Sequence, residues 1–110
     1  MGKFDVRRSS ANNQFYYRFT ASNGEPVQSG EGYTTKENCL KGIASVKANC
    51  QDARFKRAQT TGTSPYGFNQ EAANGEIIGR GEKYTSSTGR ENGIAVVIRE
   101  APTAPINDLT

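Results

Sequence analysis

The sequence predicts an α+β fold made of two tandem β-β-β-α units. Three observations carry the prediction. The chain matches itself at an offset of 51 residues without a gap. Within each copy, an aromatic period-two stretch runs into Asn-Gly and a second apolar stretch. After it comes an apolar stripe at helical spacing.

The repeat pairs residues 4–53 with residues 55–104 and gives 14 identities in 50 positions. Composition alone would give about three. The shared residues include Asn23-Gly24-Glu25 with Asn74-Gly75-Glu76, Gly30-Glu31 with Gly81-Glu82, and Tyr33-Thr34 with Tyr84-Thr85. Gly42-Ile43-Ala44 and Val46 match Gly93-Ile94-Ala95 and Val97. The reading is one domain over 1–110, with a first repeat at 3–53, a second at 54–104 and a tail at 105–110 that offers a closing strand.

Residues 4–8 and 55–58 read as short leading strands. Phe15, Tyr17, Phe19 and Ala21 alternate with Tyr16, Arg18 and Thr20, the pattern of a strand with one buried face. Asn23-Gly24 then predicts a two-residue hairpin, since both residues tolerate positive φ. Residues 27–31 return as the next strand, and residues 66–72 and 77–82 repeat the hairpin around Asn74-Gly75. Thr34 with Glu37 has the spacing of a capping box, and Thr85 stands at the same place in the second copy. Thr88 with Glu91 offers a later start for the second helix. Cys39, Ile43, Val46 and Cys50 form one helical stripe, continued in the second copy by Ile94, Val97 and Ala101. Gly42 and Gly93 fall inside the helices, where glycine costs about 1 kcal/mol relative to alanine. Their presence in both copies predicts close packing of helix backbone on the sheet.

Composition limits the chemistry. The apolar fraction of 34% implies a thin core, and the net charge of +3 permits contact with phosphates without demanding it. There is no histidine. That removes His-based triads, Cys–His pairs and His-containing zinc sites. No metal or other cofactor is expected. Cys39 and Cys50, 11 residues apart on one helical face, are about 16 Å apart along a helix. They read as free, buried thiols. The N-terminal stretch has no apolar h-region and no segment is long and apolar enough for a membrane span, so a cytoplasmic chain without a membrane partner is expected.

Together, Ala21-Ser-Asn-Gly-Glu25, Gly30-Glu-Gly-Tyr-Thr34, Gly42-Ile-Ala-Ser-Val-Lys47, Ala72-Ala-Asn-Gly-Glu-Ile-Ile-Gly79, Tyr84-Thr-Ser86 and Glu91-Asn-Gly-Ile-Ala95 resemble the YegP-like family of bacterial proteins. That family has no assigned function. The resemblance implies a single, mainly antiparallel sheet with two helices on one face and exchanged terminal strands. It also implies a monomer in which two repeats make within one chain the pseudo-two-fold assembly that single-repeat members make as dimers. Residues 54–58 would then close the first unit and open the second, and the tail around Ile106 would supply the last strand. The family brings no catalytic residue. Gln70 in place of Phe19, Pro26 in place of Ile77, and Val96-Val-Ile-Arg-Glu100 in the last helix depart from its pattern.

A non-enzymatic binding or accessory module is the reading these features favour. Strand parity puts Arg7, Tyr16, Arg18, Arg54 and Lys56 on the sheet face away from the helices, with Asp5 and Glu71 diluting their charge. Basic residues beside an aromatic on an open sheet suit a single-stranded nucleic acid. A protein-interaction module is the alternative, through an edge strand or the repeated Gly-Glu-x-Tyr-Thr element. Glu31 and Glu82 are a repeated acidic pair that a pseudo-axis would bring together for acid–base chemistry.

Overall fold

The computed structural model describes residues 2–110. The first unit comprises β1 (Lys3–Arg8), β2 (Phe15–Thr20), β3 (Pro26–Ser29) and α1 (Lys36–Ala48). The second comprises β4 (Phe55–Gln59), β5 (Tyr66–Glu71), β6 (Ile77–Gly81) and α2 (Ser87–Glu100), followed by β7 (Ile106–Asp108). Short 3-10 turns, Asp52–Arg54 and Ala101–Thr103, precede β4 and the tail.

The strands form one sheet in the order β4-β5-β6-β3-β2-β1-β7. Every pairing is antiparallel except that of β7 with β1. The units meet at β3 and β6, where Ser29 lies opposite Arg80. These two are equivalent residues of the repeat, so the pseudo-two-fold axis passes between them. The tail crosses to the first unit as the resemblance implies. Residues 54–58 behave differently: β4 pairs only with β5, so it opens the second unit without closing the first.

Each hairpin departs from the expected turn. Within the two Asn-Gly hairpin loops only the glycines, Gly24 and Gly75, have positive φ, each at 87°. Ala21 N–H donates to Glu25 C=O at 2.9 Å, which leaves a three-residue loop, and Asn23 Oδ1 accepts from Glu25 N–H at 3.0 Å. Asn74 repeats that bond to Glu76. Asparagine thus serves as a side-chain acceptor here, not as a left-handed residue.

A β-bulge follows in both copies. Phe19 pairs with Gln28 and Thr20 with Pro26, so Val27 is the extra residue. Ile78 is its counterpart. Val27 and Gln28 are consecutive yet both buried.

Helix starts also differ from expectation by one residue or more. The caps are Thr35, which accepts from Asn38 N–H at 3.1 Å, and Ser86, which accepts from Gly89 N–H at 3.0 Å. Thr34, Thr85 and Thr88 are not the caps. Both helices lie on one sheet face, α1 reaching β2 and β6, α2 reaching β5 and β3. Between them sits the core: Phe4, Val6, Tyr17, Phe19, Phe55, Phe68 and Ile78 from the sheet, Cys39, Ile43, Val46, Ile94 and Val97 from the helices.

The repeated glycines outside the hairpin turns share one cause, the fit of an aromatic ring. A Cβ on Gly30 would overlap the Tyr17 ring, and one on Gly81 the Phe68 ring. Cβ atoms on Gly42 and Gly93 would overlap the hydroxyls of Tyr33 and Tyr84. The helix glycines therefore receive a tyrosine from the strand-to-helix junction, not the sheet backbone.

Both thiols are free. Cys39 is fully buried on α1; Cys50 lies just past the helix with its Sγ 3.1 Å from Val46 C=O. Burial pushes both thiols up to about 11. The unfolded chain ionises nearer 9, so above that pH it releases protons that the folded chain retains. Stability is therefore fully present below pH ~9 and declines as pH rises towards 11. Urea denaturation under reducing conditions will show a falling midpoint across this window, and a C39A/C50A variant will show a shallower fall.

Candidate functional site

Among the described residues, no helix or strand covers the face opposite the helices. Its side chains follow from pairing register: Asp5 opposite Arg18, Arg7 opposite Tyr16, Arg18 opposite Ser29, Asn69 opposite Arg80, Lys56 opposite Asn69. One row therefore crosses the sheet as Asn107, Asp5, Arg18, Ser29, Arg80, Asn69 and Lys56.

Over the first unit this face sinks into a concavity of about 530 Å³. Arg7, Tyr16 and Arg18 line it together with Asp5, Ser29 and the hairpin residues Gly24 and Pro26. Of the residues expected to form a site, these three come together. Lys56 is on the same face but four strands from Arg18, about 19 Å across the sheet. Arg54 is not on that face as a strand residue. The chain from α1 tightens into a 3-10 turn before β4 begins, and Arg54 ends that turn, half-buried.

Tyr16 is held in place. Its hydroxyl accepts from Asn12 Nδ2 at 2.9 Å and lies 3.3 Å from Gln14 Oε1. Its ring rests on Gly32, where a Cβ would come within 2.9 Å of ring carbon Cζ. The second unit inverts this pair. Gly67 stands in place of Tyr16 and Lys83 in place of Gly32, and the Lys83 side chain lies 3.3 Å from a Cβ built on Gly67. The aromatic platform is thus confined to the first unit, and a cation takes its place in the second.

Charge on the face is only partly free. Arg80 is paired with Glu31 at 2.7 Å, and Asp5 accepts from Asn107 at 2.9 Å with Lys3 at 3.9 Å. Arg7, Arg18 and Lys56 are exposed. Sequence parity missed Arg80 and Lys83. The bulge at Ile78 reverses the alternation of β6, which puts Arg80 outward although Ile78 is inward. The reciprocal exchange of Gly32 and Lys83 between the copies was the available signal for Lys83.

The fold and this face define a small tandem-repeat α+β protein with one side of its sheet uncovered. The chain belongs to the DUF1508 family, described as a domain of unknown function, whose pattern matches residues 10–56 and again 65–108. It is 41% identical over 110 residues to a UPF0339 protein of Bordetella pertussis, covering 99% of this chain and 96% of that one. It is 38% identical to the UPF0339 protein YegP of Escherichia coli, covering 99% and 98%. The solution NMR structure of a UPF0339 protein from Shewanella oneidensis superposes with a TM-score of 0.90 at 38% identity, over 99% of this chain and 92% of that chain. The solution NMR structure of yegP from E. coli superposes with a TM-score of 0.88 over 99% and 93%.

Proposed function

We propose that the chain is a non-catalytic binding module whose helix-free sheet face takes a single-stranded nucleic acid. The observation that carries this reading is the convergence of Arg7, Tyr16 and Arg18 in one concavity. A base stacks on the exposed side of the Tyr16 ring, and phosphates lie against Arg7 and Arg18. Lys56 and Lys83 continue the cationic track over the second unit.

Several features speak against catalysis. The register of β3 with β6 separates Glu31 from Glu82 by about four positions, about 13 Å, and Glu31 is paired with Arg80. Both thiols are held protonated by burial. Action as a monomer in the cytoplasm completes the proposal. The internal pseudo-two-fold supports the monomer, and no helix among the described residues is long and apolar enough to cross a membrane.

Fluorescence anisotropy with a mixed-sequence single-stranded oligonucleotide tests the reading. Four phosphate contacts, one at each of Arg7, Arg18, Lys56 and Lys83, give a salt slope near −3, so raising salt from about 50 to about 200 mM weakens binding about fiftyfold. An R18E/K56E variant should lose the binding at both salts. Absence of binding at about 50 mM salt removes the proposal.

A further inference from the structure

The repeat makes β4 the counterpart of β1. Phe55 falls at the place of Phe4, and each strand leads its unit, antiparallel to the strand that follows. Their outer edges are not alike. On β1 lies β7, parallel, with Ile106 beside Phe4, Asn107 beside Asp5 and Asp108 beside Val6. Phe4 N–H donates to Pro105 C=O at 2.9 Å, and Leu109 N–H to Val6 C=O at 2.9 Å. Beyond β4 the sheet simply ends. The first half of the sheet has four strands and the second has three.

We propose that the β4 edge binds an extended acidic segment of a partner protein, running parallel to β4 in the place that β7 holds on β1. Strand addition of this kind draws affinity from the main chain and specificity from alternate side chains.

The chemistry of the occupant follows from what replaces each residue beneath β7. Val6, buried in the core and paired laterally with Asp108 of the tail, becomes Arg57. Its guanidinium already takes two carboxylates, Asp52 at 2.8 Å and Glu91 at 2.7 Å. In the register of β7, the residue in the place of Asp108 meets this cation. Asp5, which accepts from Asn107 at 2.9 Å, becomes Lys56. The residue in the place of Asn107 should therefore be acidic as well. Phe4 becomes Phe55, so the place of Ile106 stays apolar. The preferred pattern is apolar-acidic-acidic.

Part of the edge is already capped. Phe55 N–H donates to Asp52 C=O, and Phe55 C=O accepts from Arg57 Nη1 at 3.0 Å. By strand alternation, Arg57 N–H and C=O face the same edge, as do the Val6 groups that face β7. Those two groups anchor the incoming chain. The cap discourages neutral strands, which is how exposed edges are commonly guarded. An acidic strand competes with Asp52, a 74% exposed side chain on a three-residue turn.

The chain's own tail supplies the probe. A synthetic peptide of residues 104–110 is titrated into the full-length protein while backbone amide shifts are followed by NMR. Saturable shifts at Lys56–Gln59 are expected. The N107D peptide should bind about two- to fivefold tighter, the range of one added exposed ion pair. The D108K peptide should lose saturable binding, and a K56E protein should reverse the preference to N107K. Shifts confined to β1, where the peptide merely displaces the resident tail, overturn the proposal. So does an absence of shifts at millimolar peptide, or equal binding of D108K. Sedimentation equilibrium covers one further outcome: self-association through tails seated on β4 makes a second copy the occupant and overturns the assignment to a partner.

Discussion

Replacing Gly79 with alanine should destabilise the protein by about 2–3 kcal/mol, the upper range for overpacking a filled core. Gly79 lies at the centre of the sheet, at the position that Gln28 holds in the other repeat. A Cβ there would overlap the Gln28 side-chain amide and come within 2.7 Å of the Tyr17 hydroxyl. Neither group has room to yield. Gln28 Nε2 donates to Gln70 Oε1 at 2.8 Å and to the Tyr17 hydroxyl at 3.2 Å. Tyr17 donates onward to Ile78 C=O at 2.7 Å. Gln70 Nε2 donates to Val46 C=O and Asn49 C=O at the end of α1, at 3.0 and 2.8 Å. Gln28 and Gln70 are both fully buried. A displaced Gln28 leaves several of these groups without partners, and each such loss costs about 1–3 kcal/mol. A double-mutant cycle separates this clash from a general intolerance of alanine in β6. With Gln28→Ala in place, most of the overlap is gone, and G79A should cost at least 1 kcal/mol less than in the native background. Equal costs in the two backgrounds, measured by urea denaturation, would mean that Gln28 does not set the requirement for glycine.

This network shows where the sequence is readable and where it is not. The repeat, the strands and the free thiols follow from local patterns, because each rests on residues near one another in the chain or on equal spacing between copies, whereas the crossing of the tail is what the family resemblance implies. Gln70 looked like a flaw in an apolar alternation. Its explanation is Gln28, 42 residues away on another strand, and no local pattern records that pairing. The two halves diverged in complementary fashion: Phe19 with Gln28 on one side of the pseudo-axis, Gln70 with Gly79 on the other. The cap was displaced from Thr34 to Thr35 for a smaller reason. Two adjacent hydroxyls compete, and the Glu37 spacing favoured the one that the structure does not use. At the candidate face, Arg7, Tyr16 and Arg18 were legible because β1 and β2 alternate without interruption through them. Arg54 and Arg80 were not, since a 3-10 turn and a bulge each break the period on which parity depends.

Gly42→Leu should destabilise by about 2 kcal/mol net, and Gly42→Ala by about 1 kcal/mol net. Helix propensity alone predicts the opposite sign, because alanine is favoured over glycine by about 1 kcal/mol inside a helix. The opposing effect is steric. A Cβ on Gly42 would overlap the Tyr33 hydroxyl and lie 2.7 Å from Cζ of the same ring. Tyr33 cannot move away freely, since its backbone pairs with Phe15 through bonds of 2.7 and 2.9 Å. The ring and the helix are thus fixed against each other from both sides, and overpacking such a contact costs about 1–3 kcal/mol. Leucine adds bulk without adding propensity, so its penalty is the larger. The second repeat supplies an internal replicate: Gly93 receives Tyr84 in the same way, with Cζ at 2.8 Å, and Tyr84 pairs with Tyr66 as Tyr33 does with Phe15. G93A and G93L should therefore follow the order of G42A and G42L. Tyr33→Phe removes the atom that overlaps first, so G42A should cost less beside Y33F than alone. A G42L variant that folds with unchanged stability would sink the account. It would mean that the tyrosine is a loosely held surface ring and that the glycine recurs in both copies for some cause other than this fit.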